Sequence, residues 1–479
     1  RLLKDCCNEI RLMLTFIFNQ SLTTGILPPD WRSANIFPLH KKGSRATVDN
    51  YRPISLTSIC CKILEHIVYS SISKFLESNH ILTPNQHGFR SQHSCETQLV
   101  LAVNDWSKNL DMGYITDIAI FDFSKAFDTV PHQRLLVKLQ HYGIHGNTLR
   151  WISSFLSERS QRVTLDGAQS PWSSVKSGVP QGTVLGPLLF LLYINDITTS
   201  IQSDIRLFAD DCVLYRCIRS AHDRSILQQG IDLLNNWSQI WQMQFNVKKC
   251  HILRISRQHA KSIPTYTLGL ETLSVVNSFT YLGVTISSDL RWNEHVATVV
   301  AKASRTLNFV RRNLYGCTPD VKAKAYQSLV RPQLEYAVAA WDPYTLKNIQ
   351  QLESVQHRAA RFVKHDYRYT TSVTGLLKDL GWPPLADRRR VARLTLFHKA
   401  LHNQSVIKLD SLPRPSRVTR FSSAGMTFSI LQSHSEPYKQ SFFPRTVRDW
   451  NALPPQLNML HLSPRSATLS RPVTDRLRS

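Results

Sequence analysis

Two acidic sites, each at the end of a β-type run, constrain this chain more than any other feature. Asp122 follows the run in AIFDFSKAFD, and the pair Asp210 and Asp211 lies in LFADDCVL between two β-rich arms. Carboxylates among aromatic and β-branched residues are costly to bury without a counter-ion. Two Mg²⁺ ions held by such carboxylates would offset that cost and form the usual clamp for in-line phosphoryl transfer. The alternative is an exposed hairpin turn in which aspartate is only a turn former.

Charge narrows the choice of partner. The chain has 479 residues, and its 58 lysines and arginines against 34 acids give a net charge of +24. Such an excess indicates a polyanionic partner. Because the basic residues are spread along the whole chain, nucleic acid is favoured over a membrane surface. The apolar run from Leu188 to Ile194 is far shorter than the roughly 20 residues that a membrane-spanning helix needs.

The cysteines indicate neither a disulfide framework nor a zinc site. They are nine in number and never form CxxC, so we expect reduced thiols in an intracellular protein without structural zinc. The chain starts at Arg1 without a signal sequence, and we expect it to be a fragment.

Periodicity predicts several elements. A helix is expected over residues 1 to 25, ending at Gly25, and hairpins over 161 to 175, with Asp166 and Gly167 at the turn, and over 205 to 218, with the two acids at the tip. Beyond about Asp289 the pattern becomes helical to about residue 400, and the remainder is weakly patterned.

Three motifs in register identify a family. In order and spacing, FDFSKAFDTV, SGVPQGTVLGPLLFLLYINDI and LFADDCVL resemble the palm motifs of reverse transcriptases of non-LTR (LINE-type, jockey-like) retrotransposons. Flanking segments agree: WRSANIFPLHKKG with NYRPISL, LTPNQHGFRSQHSCETQL, FNVKKCHIL and SFTYLGVTIS. The resemblance covers about residues 20 to 290. It implies an α+β right-hand polymerase with fingers, an antiparallel-sheet palm, a helical thumb and a basic C-terminal extension.

We expect fingers and an N-terminal helix over 1–113, the palm over 114–289, the thumb over 290–400 and the basic extension over 401–479, for which no structure is predicted. The helical region carries basic residues with aromatic neighbours, which suits a thumb that tracks a phosphate backbone. These residues are Arg311, Arg312, Arg358, Arg361 and Arg388 to Arg390. Taken singly, each would be typical of a solvated helix face.

The resemblance implies roles at the catalytic centre. Asp122, Asp210 and Asp211 match the metal-binding catalytic triad. Phe127 matches the ring that blocks a ribonucleotide 2′-hydroxyl, the alternative being ordinary core packing. Lys249 matches a lysine near the departing pyrophosphate, although the neighbouring Lys248 leaves the register open.

Further matches surround that centre. Gln181 and Gly182 match the loop against the templating base and incoming nucleotide, and Lys42 and Arg52 match finger residues that clamp the triphosphate. The run Tyr281, Leu282 and Gly283 matches the primer grip. A turn, a solvated surface and an ordinary buried hairpin are the respective alternatives. Asp128 matches an acid of the family, Cys250 stands where threonine is expected, and neither receives a role.

The resemblance implies an RNA-directed DNA polymerase. Its partners would be an RNA template, a DNA primer and dNTPs, with no membrane, and its cofactor two Mg²⁺ ions, for which Mn²⁺ can substitute. Nuclear residence follows from the family alone, and the sequence does not indicate an oligomeric state. Two alternatives stay open: a catalytically inactive, truncated relic that binds nucleic acid, and a group II intron maturase or telomerase-like protein.

Overall fold

The structure is a computed structural model that describes residues 2–41, 43–257, 264–415 and 427–453. In these ranges the strands are β1 (Ser33–His40), β2 (Tyr51–Leu56), β3 (Ile115–Phe121), β4 (Arg159–Leu165), β5 (Ala168–Gln169), β6 (Ser173–Val175), β7 (Asp204–Phe208), β8 (Asp211–Ile218), β9 (His251–Ile255), β10 (Thr267–Leu268), β11 (Glu271–Thr272), β12 (Ser274–Val276), β13 (Ser278–Tyr281) and β14 (Val284–Ser287).

The helices of the same ranges are α1 (Leu2–Asp5), α2 (Cys7–Thr24), α3 (Ile59–Ser78), α4 (Cys95–Asp111), α5 (Ala126–Thr129), α6 (His132–His141), α7 (Gly146–Leu156), α8 (Leu185–Ile194), α9 (Ala221–Ile240), α10 (Asn293–Asn313), α11 (Pro319–Ala325), α12 (Arg331–Glu335), α13 (Val338–Trp341), α14 (Leu346–Lys364), α15 (Val373–Asp379), α16 (Leu385–Leu401), α17 (Glu436–Lys439) and α18 (Phe442–Asn451). None of them is both long and apolar enough to cross a bilayer.

A central sheet organises the middle of the chain. Its strand order is β12-β9-β3-β8-β7, and neighbouring strands are antiparallel except for the edge pair β12 and β9. β3 reads ITDIAIF and is buried on both faces, so its alternate apolar residues contribute to two hydrophobic cores. Within the sheet, Arg254 on β9 pairs with buried Asp117 on β3 at 2.6 Å, which neutralises the charge of that acid.

A second sheet gathers strands from distant parts of the sequence. β1 pairs with β2 antiparallel and with β4 parallel, and β5 and β6 both pair with β4. The hairpin between β4 and β5 turns at Asp166 and Gly167, whose φ angles of 49° and 83° suit a type I′ turn, as the sequence predicts. β4 lies inside the predicted palm range 114–289, yet it extends the sheet of the predicted fingers. The expected boundary at residue 113 therefore does not separate the two sheets.

Helix α8 shares one hydrophobic core with the central sheet. Its sequence LGPLLFLLYI is apolar on every side, and nearly all of it is buried. The Glu65 carboxylate on α3 accepts hydrogen bonds from the N–H groups of Val184 (2.7 Å) and Leu185 (3.0 Å), which caps the start of the helix. This contact ties α3 to α8.

The predicted helical region is confirmed by α10 to α16, which share one hydrophobic core with the central sheet. Within the C-terminal extension the structure forms α18, which contacts α16 and α13. The weak pattern of residues 401–479 did not predict this helix. Residues 416–426 and 454–479 of that extension lie outside the described residues.

The prediction that Arg388 to Arg390 track a phosphate backbone is wrong for Arg389. Arg389 is 1% exposed and its Nε lies 2.7 Å from the Asp342 carboxylate. Arg388 pairs with Glu335 instead of facing solvent freely. Arg393, also buried, bridges Asp342 to an aspartate of α18. Arg389 and Arg393 hold α16 and α18 to Asp342 at the end of α13, because a buried guanidinium needs a carboxylate partner.

Candidate active site

Strand register brings the three aspartates to one end of the central sheet. Phe121, the last residue of β3, pairs with Cys212 of β8, so the adjoining Asp122 and Asp211 lie at the same edge. Strands β7 and β8 are joined by the two-residue turn Ala209 and Asp210, which places Asp210 at the hairpin tip beside Asp211. The predicted hairpin with two acids at its tip is thus confirmed.

The charges of these acids oppose one another. Burial raises the pKa of Asp210, and the nearby Asp122 raises it further. The Asp211 carboxylate reaches solvent, yet desolvation by the surrounding protein, then Asp210 and then Asp122, raise its pKa to about 6. Two basic groups at the second sheet, Arg52 on β2 and Lys41 directly after β1, lower the pKa of Asp210. The site therefore concentrates negative charge and faces it with cations.

Asp122 already has a cationic partner. Lys249, the last residue of the short helical turn Val247–Lys249, places its Nζ 2.9 Å from Asp122 Oδ2. Both adjacent lysines are exposed, and Lys249 is the one that contacts this acid. Both members of the pair are partly exposed, so the contact is weak and open to exchange.

The donor set fits a divalent cation of the Mg²⁺ type. In the described ranges no three His, Cys, Asp or Glu side chains are already arranged around a metal position, and Asp122 is engaged by Lys249. Mg²⁺ prefers carboxylate oxygens, and Asp122, Asp210 and Asp211 supply oxygens alone. The repulsion that raises the pKa values of Asp210 and Asp211 is the repulsion that a bound cation relieves.

Phe127 lies in an aromatic group beside the acids. Its half-buried ring stacks on Phe190 of α8, with ring centroids 4.3 Å apart. The edge of a third ring, Phe89, meets Phe127 at 6.3 Å, and Phe89 itself is 53% exposed. Stacking on Phe190 fixes the Phe127 ring, and part of the ring remains exposed to solvent.

The loop with Gln181 and Gly182 is fastened to two neighbours. The N–H of Ser55 on β2 donates to the Gln181 carbonyl at 2.7 Å, and Gln181 Nε2 donates to Asp128 Oδ1 at 2.9 Å. Gly182 has a φ of 103°, and a Cβ there would lie 2.8 Å from the Ser55 carbonyl oxygen, so only glycine fits. Asp128, to which the sequence assigned no role, therefore orients the Gln181 amide.

The second sheet carries basic side chains that act electrostatically on the acids. Arg52 is exposed on β2, and its charge lowers the pKa of both Asp210 and Asp211. Lys42 lies outside the described residues. Its neighbour Lys41 is exposed, and its charge lowers the pKa of Asp210 and of Asp128. Sequence reasoning missed Lys41, although the adjacent lysines in PLHKKG offered both as candidates.

The hairpin predicted as primer grip is formed by β13 and β14. Leu282 and Gly283 make its turn, with φ angles of 47° and 83°. Tyr281 is 3% exposed and accepts a hydrogen bond from Gln98 Nε2 at 2.9 Å, so its ring anchors the hairpin in the core. Tyr336 of the helical region donates to the Leu282 carbonyl at 2.9 Å. Only Leu282 and Gly283 of the predicted trio therefore lie at the tip.

Comparisons with known proteins agree with the resemblance seen in the sequence. The family model described as reverse transcriptase (RNA-dependent DNA polymerase) matches residues 39–286, just over half of the chain. The RNA-directed DNA polymerase from mobile element jockey of Drosophila melanogaster is 27% identical over 426 residues, which cover 85% of this chain and 45% of that protein. The jockey polymerase of Drosophila funebris is 28% identical over 418 residues, covering 84% and 44%.

The chain thus spans less than half the length of these curated relatives. Among solved structures, apo telomerase from Candida Tropicalis is similar with a TM-score of 0.44 and 10% identity, over 83% of this chain and 67% of that one.

Proposed function

Because the chain belongs to the reverse transcriptase (RNA-dependent DNA polymerase) family, we propose that it is an RNA-directed DNA polymerase of a jockey-like, non-LTR retrotransposon. The observation that carries this proposal is the placement of Asp122, Asp210 and Asp211 at one end of the central sheet. Relatives named RNA-directed DNA polymerase support it.

In the proposed reaction the 3′-hydroxyl of a DNA primer attacks the α-phosphate of a dNTP, and pyrophosphate leaves. Bound Mg²⁺ ions, which Mn²⁺ can replace, would lower the pKa of that hydroxyl and neutralise the triphosphate. Asp122 and Asp210 would hold the two ions, and Asp211 would support them. Lys249 lies within reach of the same centre and would neutralise the departing pyrophosphate after releasing Asp122.

Finger and palm side chains would select the nucleotide. Arg52, Lys41 and, outside the described residues, Lys42 would bind the triphosphate; the charges of Arg52 and Lys41 already lower the pKa of Asp210. Phe127, held by Phe190, would exclude a 2′-hydroxyl. Gln181 and Gly182 would lie against the base pair being formed, with the Gln181 amide oriented by Asp128.

We assign the remaining surfaces to the template and primer. The net charge of +24 suits an RNA template and a DNA primer, and the tip at Leu282 and Gly283 would contact the primer end. The logarithm of the RNA affinity should therefore fall linearly with the logarithm of the salt concentration. Nuclear residence is proposed from the family alone.

Primer extension tests this function. The chain, oligo-dT annealed to poly-rA, dTTP and Mg²⁺ should yield extended DNA. A chain that binds the primed template in a salt-dependent way without extending it would instead favour the inactive relic.

A further inference from the structure

A segment outside the catalytic strands runs beside the hairpin that carries two of the acids. Asn85 to Gly88 lies parallel to β7: the Leu207 N–H donates to the Asn85 carbonyl, and the His87 N–H donates to the Leu207 carbonyl, each at 2.9 Å. This pairing places the side chain of Gln86 against the turn of Ala209 and Asp210.

Gln86 binds both backbone polar groups of the residue before Asp210. Its Oε1 accepts hydrogen bonds from the N–H groups of Ala209 and Gly88, each at 2.8 Å, and its Nε2 donates to the Ala209 carbonyl at 3.3 Å. Two N–H donors facing one atom identify it as the amide oxygen and fix the orientation of the group. Gln86 is 1% exposed, so water does not compete for these bonds.

Two features destabilise the turn of Ala209 and Asp210: the backbone conformation of Ala209 and the repulsion among the acids. Ala209 has a φ of 54°, a left-handed conformation that is unfavourable for a residue with a side chain. Beyond it, Asp210 and Asp211 repel each other and Asp122. Strain and repulsion both act to open the turn.

The approach of the segment leaves no spare room. A Cβ at Gly88 would lie 2.4 Å from the Ala209 nitrogen, so the two backbones meet only because residue 88 is glycine. The contact is therefore a close fit between the segment and the acid-bearing turn.

We propose that Gln86 is a positioning residue whose carboxamide holds the turn of Ala209 and Asp210 in the geometry in which the acids bind divalent metal. It acts through the backbone and touches neither nucleotide nor primer. The proposal rests on the proposed function, because it assigns the three aspartates to metal binding.

Two substitutions separate positioning from stability. Gln86→Met removes the three hydrogen bonds with a side chain of similar length, and Gln86→Asn keeps the amide but is one methylene too short to reach Ala209. The matched control is Gln356→Met. Gln356 is also 1% exposed, accepts from Tyr326 Oη and donates to the Pro383 carbonyl, both at 2.9 Å, in the helical region.

Mn²⁺ affinity of the full chain, from the free Mn²⁺ signal in electron paramagnetic resonance, is the primary readout, with the thermal midpoint recorded beside it. We expect both Gln86 variants to bind Mn²⁺ roughly 10-fold more weakly, as for groups that orient metal ligands. Gln356→Met should lower the thermal midpoint while leaving Mn²⁺ affinity within about 2-fold. Equal Mn²⁺ affinity in the parent and both Gln86 variants would overturn the proposal, even where stability falls.

Primer extension by the same samples separates this proposal from the proposed function. A parent that binds Mn²⁺ but extends no primer would remove the polymerase assignment, and a weaker Mn²⁺ affinity of the Gln86 variants would still support positioning. A parent that binds no Mn²⁺ at all would overturn both.

Discussion

The ammonium group of Lys249 lies 2.9 Å from Asp122 Oδ2, so a cation of the chain itself neutralises one of the three acids before any metal arrives. Metal binding must then displace Lys249 from Asp122. Because the lysine and aspartate side chains are 62% and 37% exposed, this exchange should cost no more than about 1 kcal/mol.

Lys249→Met should therefore have opposite effects on Mg²⁺ binding, which should become tighter, and on the maximal rate, which should fall. Without the competing ammonium, the Mg²⁺ concentration for half-maximal extension should fall by up to about 5-fold. The maximal rate should also fall, since the pyrophosphate loses a neutralising group. The exposed neighbour provides the control, and Lys248→Met should change neither quantity. A higher Mg²⁺ requirement in Lys249→Met would contradict the displacement.

The crowded acids should destabilise the metal-free fold. The folded-state pKa of Asp211 is about 6 and its ordinary value is 3.8, so the folded state binds this proton more tightly than the unfolded state. At pH 7.5 the ionised group opposes folding, and protonation relieves this as pH falls from 7 towards 4. Asp211→Asn should thus raise the thermal midpoint in EDTA at pH 7.5 by about 1–2 °C, a small effect because the group reaches solvent.

Two conditions should abolish that gain. The difference between Asp211→Asn and the parent should shrink at pH 4.5, where the parent carboxyl is largely protonated, and should shrink or reverse in Mg²⁺, which stabilises only a parent that binds it. Thermal melts at the two pH values, with and without MgCl₂, measure both effects. A lower midpoint for the variant in EDTA at pH 7.5 would contradict the proposed repulsion.

The ring of Phe127 should set sugar discrimination. Phe127→Ala removes the ring that stacks on Phe190, and we expect the preference for dUTP over UTP on poly-rA to drop roughly 10-fold or more. These substrates differ only at the 2′-position, so the ratio of their kcat/KM values isolates the gate. Phe190→Leu, which keeps the Phe127 ring, should change the ratio much less. If the ratio of the kcat/KM values for dUTP and UTP is unchanged in Phe127→Ala, the Phe127 ring contributes only to core packing.

The buried arginines of the helical region should matter for stability and not for RNA affinity. Asp342→Asn withdraws the carboxylate that faces Arg389 and Arg393, which should destabilise the fold by about 3 kcal/mol. RNA affinity measured below the melting transition should stay within about 2-fold. Arg312→Ala, at an exposed position, should do the reverse. Loss of RNA affinity in Asp342→Asn at unchanged stability would restore the phosphate-tracking role.

The sequence predicts local elements well and distant pairings poorly. The β4–β5 hairpin was predictable because Asp166 and Gly167 tolerate the positive φ angles of its turn. The parallel pairing of Ser33 with Ser160 was not, since it joins strands far apart in sequence, and packing alone decides it.

The same limit applies to the site. Asp122, Asp210 and Asp211 stand out because carboxylates interrupt apolar runs, and the structure places them together. Arg389 looked like a surface cation, because residue type does not reveal that Asp342 lies buried beside it. Gln86 lies in the segment LTPNQHGFR that carries part of the resemblance, but the sequence gives it no role, since that role depends on a backbone contact with Ala209.

Primer extension by charge-matched variants of the acid hairpin tests the central claim most directly. Asp210→Asn removes an acid at the tip of the hairpin, and Asp204→Asn removes one at the start of β7 on the same hairpin. With oligo-dT on poly-rA, dTTP and Mg²⁺, the account predicts a loss of roughly 10³-fold or more for Asp210→Asn and near-parental extension for Asp204→Asn. Extension by Asp210→Asn at the parental rate would contradict the assignment of this site as a polymerase centre.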